Sequence, residues 1–306
     1  MSMKGHAIAE SAECARPERA RKPRHTLPAG TTDCHCHVFA DPTRYPLAAG
    51  RSYTPAVCTV ADYLEMCTMV GVERTVQVNA SVYGFDNSMT LDVIAALGQH
   101  RARGVAAVSL QALPADIERL HAGGMRGTRL STKVQGYGGT DAIEPMAEKL
   151  RPFGWHLQLH FGDSSEVASL EARLMRLPVP IVFDHLGGTR GNEGVDAPGF
   201  LALLRVLAHR DDCWVKLSSW YRLSDVGAPD YTDMKPLVQS LIDTRPDRCL
   251  WGSNWPHPEC PVTMPNDGAL IDLFCDWVPD ETIRRQVLGE NPAQLYGFVE
   301  DGSLSV

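Results

Sequence analysis

From Thr31 onward, short apolar runs rich in β-branched residues alternate with stretches whose apolar positions recur at helical spacing. The runs predict strands over residues 32–38, 74–79, 104–110, 127–130, 156–161, 181–185, 213–217 and 249–253. The intervening and following stretches predict helices over 60–70, 89–97, 115–121, 145–150, 166–174, 200–209, 234–242 and 269–277. Eight strands, each followed by a helix, is the count that closes a (β/α)8 TIM-like barrel, an α/β fold. An open doubly wound sheet would show a glycine-rich phosphate turn after an early strand, whereas this first strand ends in histidines. Residues 281–288 and 292–296 predict two short terminal helices. Residues 1–28 carry Arg16, Arg19, Arg21, Lys22 and Arg24 with almost no apolar periodicity. They predict a flexible arm over the surface, leaving 29–306 as a single barrel.

Composition narrows the partners. The chain has 306 residues and a net charge of −8, which argues against nucleic acid or an anionic membrane as partner. No apolar run is long enough to span a bilayer, no apolar leader opens the chain, and Glu10, Glu13 and Glu18 interrupt any transit-peptide pattern. Nine cysteines, an odd number without a framework spacing, predict buried thiols in a reducing compartment, hence the cytoplasm.

In a barrel, chemistry collects where strands end at the C-terminal face. The first strand holds Asp33, Cys34, His35, Cys36 and His37, and strict alternation places Asp33, His35 and His37 on one face and both cysteines on the other. The histidines are then expected in the barrel mouth, with Cys34 and Cys36 facing the surrounding helices. A cysteine-ligated metal is geometrically poor on this reading. His160, His185 and His257 lie at the ends of the fifth, sixth and eighth strands, a convergence suited to a divalent metal. A single buried histidine is more often a satisfied core residue, and it is the convergence that favours function. Arg126 and Arg129 bracket the fourth strand, Lys133 follows it, and Arg222 follows the seventh. Any one of these would ordinarily be a paired surface cation. Several at one mouth of an acidic protein imply an acidic substrate, held by arginine forks.

The motifs Asp-Cys-His-Cys-His-Val-Phe, Gly-Gly-Met-Arg-Gly-Thr-Arg, Asp-His-Leu-Gly and Trp-Gly-Ser-Asn-Trp-Pro-His-Pro occur in that order. Together they resemble the amidohydrolase superfamily, and within it the pyrone-dicarboxylate and sulfomuconolactone lactonases, from about residue 23 to 298. The resemblance implies a lactone hydrolase of aromatic-compound catabolism acting on a small anionic lactone. It assigns the family's His-x-His pair to His35 and His37, the sixth-strand histidine to His185, and the carboxylate clamps to Arg129 and Arg222. An early-loop tyrosine falls on Tyr53 and a second-strand hydroxyl on Ser81. The similar pyrone lactonases work without metal, polarising the carbonyl with these histidines and arginines while an eighth-strand aspartate activates water. Other relatives hold zinc with much the same residues.

Three positions depart from the pattern. Asn254 replaces the aspartate, Gln135 replaces a second basic clamp with Lys133 as the nearest substitute, and His160 replaces a tyrosine. An amide accepts no proton at neutral pH. The expectation is therefore a lactonase that requires no cofactor, with Asn254 either an altered residue that traps substrate or a native choice in which His160 or His257 takes the proton. One alternative is a Zn2+ hydrolase, with ligands among His35, His37, His160 and His185, whose metal-bound water needs no strong base. Another is a binding protein that kept the pocket and lost the base.

Overall fold

The computed structural model describes residues 13–134 and 137–298. Eight strands form one sheet: β1 (Thr32–Cys36), β2 (Arg74–Val78), β3 (Ala102–Ala106), β4 (Met125–Ser131), β5 (His156–His160), β6 (Ile181–Phe183), β7 (Cys213–Ser218) and β8 (Cys249–Gly252). Each is parallel to the next, in sequence order. The ring closes through two backbone bonds just beyond the last strand: Asn254 N–H donates to the His35 carbonyl at 2.7 Å, and His37 N–H to the Trp255 carbonyl at 2.8 Å. At this seam the backbones approach so closely that a Cβ on Gly252 would lie 2.9 Å from the His35 nitrogen.

The helices are α1 (Val60–Val70), α2 (Ser88–Leu97), α3 (Pro114–Ala122), α4 (Ile143–Leu150), α5 (Ser165–Leu174), α6 (Pro198–His209), α7 (Trp220–Leu223), α8 (Lys235–Thr244), α9 (Asp267–Trp277), α10 (Glu281–Arg285) and α11 (Asn291–Tyr296). Local chemistry sets their ends. Thr59 and Asp62 cap α1 reciprocally, and Gly71, at φ 91°, stops it. The short α7 was not foreseen, and a π-turn over Gln286–Glu290 joins α10 to α11, so the two expected terminal helices run on as one rod.

Several strands stop earlier than their apolar runs, β3 and β6 among them. β3 leaves the ladder after Ala106 because side chains take the next amides, Asn87 Oδ1 accepting from Ala107 and Thr128 Oγ1 from Val108. β6 ends at Phe183 because His185 and Leu186 turn left-handed, at φ 48° and 52°, followed by two glycines of positive φ.

The first strand corrects the alternation argument. Asp33 pairs with Thr75, yet Cys36 pairs with Gln77, so β1 carries one residue more than β2 over this interval. The bulge turns two successive side chains, Cys34 and His35, into the barrel. Cys34 packs with Val76, Val105, Val182, Trp214 and Leu250 in the barrel floor, against Tyr296 and Phe298 of the C-terminal segment. It does not face the helices as expected. Cys36 does face outward, bonded to Thr75 and Gln77. Asp33 also faces outward, accepting from Tyr63 of α1 and from Ser253.

Residues 13–28 run over α1 and α9. Arg16 pairs with Asp62 at 3.0 Å, Arg19 with Glu65 at 2.7 Å, Arg21 with Asp272 at 2.7 Å and Arg24 with Asp276 at 2.6 Å. Residues 1–12, which include Glu10, lie outside the described residues. All nine cysteines are free, and no helix of the described residues is long and apolar enough to cross a membrane.

Candidate active site

Above the apolar floor the barrel interior turns polar. Gln158 and Lys216 alternate with Leu157, Leu159, Val215 and Leu217, so strand periodicity alone turns them inward. Lys216 is fully buried; its Nζ donates to Gln158 Oε1 at 2.6 Å and lies 3.3 Å from both Asp184 Oδ1 and His35 Nδ1. Gln158 Nε2 donates to Asp184 Oδ2 at 2.9 Å, and Arg129 Nη1 lies 3.8 Å from that same oxygen. Asp184 is thus the hub of the site. Burial opposes its charge, but Lys216 and His35 outweigh burial and hold its carboxyl well below the usual range.

The histidines form a chain of rings over this layer. His35 lies 5.1 Å from His37 and 4.5 Å from His185, and His185 lies 5.3 Å from His160, centroid to centroid. Each is oriented through Nδ1: His35 by Asp184 Oδ1 at 3.1 Å, His37 by the Val78 carbonyl at 2.8 Å, His185 by Ser218 at 2.7 Å and His160 by Ser131 at 3.1 Å. A carbonyl only accepts, so His37 carries its hydrogen on Nδ1 and presents a bare Nε2. His35 Nε2 is buried without a hydrogen-bond partner. His257 is not in this group; its ring lies against Tyr221.

Arg129 forms one wall. Its guanidinium stacks 5.3 Å from the Tyr137 ring, and its Nε is buried without a partner. Tyr53 lies in the same neighbourhood; burial raises its phenol while a bond to Ser81 and the Arg129 charge oppose the rise. Burial and then the Arg222 charge lower the Lys133 ammonium, which places both cations at one rim. Arg222 itself donates to the Pro258 carbonyl at 2.9 Å. Arg126 belongs elsewhere: it sits at the opposite end of β4, bonded to the His121 and Met125 carbonyls. Gln135 lies outside the described residues. The sequence reading left Gln158, Asp184 and Lys216 unassigned, although a lysine alternating with apolar residues in a strand was a readable signal.

Burial holds the imidazoles of His37, His156 and His160 down at about 3, and raises Asp33 to about 6. Unfolding returns a histidine to about 6.5, so between pH 7 and 5 the unfolded chain binds protons that the folded chain does not, and stability falls as pH falls. Each histidine accounts for about 2 kcal/mol of that loss, and Asp33, protonated first in the folded state, returns roughly 1 kcal/mol. Thermal unfolding followed by circular dichroism is expected at a lower Tm at pH 5 than at pH 7. An equal or higher Tm at pH 5 contradicts neutral buried histidines.

Non-glycine residues with left-handed backbone gather at this face: His185 and Leu186 after β6, Ser219 after β7, and Asn254 and His257 after β8. Such strain persists where the surroundings enforce it, typically around a site. What the arrangement offers is a chamber with bare imidazole nitrogens, a buried cation, and further cations at the rim.

The amidohydrolase family profile matches residues 32–298. A 4-sulfomuconolactone hydrolase of Hydrogenophaga intermedia is 33% identical over 307 residues, covering 98% of this chain and 100% of its own. A 2-pyrone-4,6-dicarboxylate hydrolase of Comamonas testosteroni is 32% identical over 284 residues, covering 90% of this chain and 92% of its own. Among solved structures, an apo Agrobacterium tumefaciens protein superimposes with a TM-score of 0.83 at 27% identity, covering 91% of this chain and 98% of its own.

Proposed function

The chain belongs to the amidohydrolase family, and from that premise we propose that it is a hydrolase that opens a small lactone bearing acid groups, of the pyrone-dicarboxylate or sulfomuconolactone type. The names of its curated relatives support the lactone. One observation carries the acid groups: Arg129 is 5% exposed, yet its Nε has no partner. A buried donor left open is costly, and a substrate carboxylate completes it with a charge-assisted bond. Arg222 and Lys133 at the rim suit a second acid group.

The lactone carbonyl then lies over the histidines. In the metal-free form, a Ser218 hydroxyl donating to His185 Nδ1 would leave the His185 hydrogen on Nε2, aimed at the oxygen that becomes negative. His37 Nε2, a bare acceptor, cannot play that part; it accepts from water or binds a cation. The same reasoning supports the metal reading. His35 and His37 supply two bare nitrogens of the type a divalent ion takes, and His35, Asp184 and His185 offer ligand atoms within 4.8 Å of one another. Held by His35, His37 and His185, the last with its hydrogen on Nδ1 toward Ser218 and with His160 beside them, Zn2+ would supply Lewis-acid polarisation of the carbonyl. Asp184 and Ser218 orient the ligand rings in either case.

The test is a ring-opening assay on 2-pyrone-4,6-dicarboxylate and 4-sulfomuconolactone, followed by absorbance loss and proton release. The protein is used as isolated, after chelation, and after Zn2+ addition. Turnover of either lactone is expected, and its response to chelation decides between the metal-assisted and unassisted forms. Binding without turnover under all three conditions would overturn the hydrolase reading in favour of a binding protein.

A further inference from the structure

Asn254 is 2% exposed at the end of β8, and its amide cannot accept the proton that an attacking water must lose. Behind it runs a file of buried polar groups. Asn254 Nδ2 donates to the Tyr221 hydroxyl at 2.9 Å, that hydroxyl lies 2.9 Å from His257 Nδ1, and His257 Nε2 lies 3.2 Å from Asp267 Oδ1. The last approach is an ion-pair distance that is not aligned as a hydrogen bond.

The file has one direction. Because the amide donates into the phenol oxygen, the phenol hydrogen is left for His257 Nδ1, and the His257 hydrogen sits on Nε2, facing Asp267. Asp267 is 2% exposed, and neither of its oxygens has a hydrogen-bond partner among the described residues. It opens α9, so the positive end of that helix supports its charge. A buried carboxylate backed only by an imidazole is costly, and it becomes favourable when the imidazole gains a proton.

The carboxylate at the centre of the chamber is committed. Asp184 is shared among His35, Lys216, Gln158 and Arg129, and His35 lies against the Lys216 ammonium.

We propose that Tyr221 relays the proton of the attacking water to His257, which holds it against Asp267, while Asn254 orients that water through its free carbonyl oxygen. This rests on the lactone-hydrolase reading. In the step, the water oxygen bonds to the carbonyl carbon and the carbonyl π pair moves onto its oxygen. That water rests on the Asn254 carbonyl oxygen and on the remaining lone pair of the Tyr221 oxygen, so that one water O–H breaks with its proton passing to the phenol oxygen as the phenol proton passes to His257 Nδ1. On collapse the C=O reforms, the ring C–O bond breaks, and the proton returns along the same file to the leaving oxygen. One water is consumed and the relay is restored.

The test compares Tyr221→Phe, His257→Asn and Asp267→Asn in two backgrounds, native and Asn254→Asp. In the native background each is expected to lower kcat by about 10²–10⁴-fold for the first two, and somewhat less for the third, with KM little changed. In the Asn254→Asp background the same changes should cost under about tenfold, because a carboxylate then takes the proton directly. A merely structural role predicts equal losses in both backgrounds, and that result overturns the relay. Absence of lactone turnover in native and Asn254→Asp protein alike would instead count against the hydrolase reading. A readout that needs no substrate is 15N NMR of labelled histidine. His257 should be the Nε2–H tautomer, with its Nδ1 shift moved by Tyr221→Phe, and an Nδ1–H tautomer rules the relay out.

Discussion

Replacing Arg129 with methionine is expected to lower kcat/KM on a dicarboxylate lactone by roughly 30- to 1,000-fold, which is ~2–4 kcal/mol of transition-state binding. The guanidinium is buried, stacked on Tyr137 and anchored at 3.4 Å to the Asn79 carbonyl, so it offers its open Nε from a fixed position. Methionine keeps the volume and the aromatic contact while removing the charge and the fork. Lysine should rescue poorly, because a point ammonium lacks the planar geometry that meets a carboxylate. A neutral lactone of similar ring size provides the control: the variant should lose far less on it. Steady-state kinetics on both substrates check the prediction, and an unchanged kcat/KM on the charged lactone refutes it.

A larger effect is expected at Asp184, where stability and activity fall together. Asp184→Asn leaves the Lys216 ammonium buried with only Gln158 Oε1 and His35 Nδ1 for company. Breaking a buried pair from one side typically costs 3–5 kcal/mol, which in a chain of this size lowers Tm by about 5–10 °C. Turnover should fall more than about 10²-fold, since His35 loses its orienting acceptor as well. Removing the stranded cation in Asp184→Asn/Lys216→Met should restore much of the Tm without restoring activity. A double-mutant cycle with calorimetry and kinetics checks both halves. Independent, additive losses in Tm would show that the two charges do not depend on each other.

The strand order was legible because each strand's apolar run is bounded by polar turns. α1 was legible to the residue because Thr59, Asp62 and Gly71 spell both of its ends. The strand ends were less so. β3 and β6 stop where Asn87, Thr128 and the left-handed turn at His185 intervene, and apolar periodicity does not record those interactions. The inward turn of Cys34 was hidden for the same reason, since a bulge is visible only in the pairing of two strands. Histidines at strand ends announced a site, and His35, His37, His160 and His185 do meet. The cluster of Gln158, Asp184 and Lys216 depended on how β5, β6 and β7 are staggered, with Asp184 just past the end of β6, which a reading of one strand at a time does not supply.

The seam between β8 and β1 bears on how such a chain acquires new substrates. Asn254 and His37 each contribute a backbone bond to the closure, and their side chains belong to the Tyr221 file and to the histidine cluster. An insertion or deletion between Gly252 and His257 would therefore unlatch the ring and misplace the chemistry at one stroke. The segment after β4, which carries Lys133, makes no bond to that seam among its described residues, whereas the segment after β7 is tied to the turn after β8 through Tyr221 and Arg222. The length and sequence of the β4 segment can change while the ring stays shut. Changes that alter substrate range without opening the ring are accordingly expected at the β4 rim, and in the turn after β8 by substitution alone.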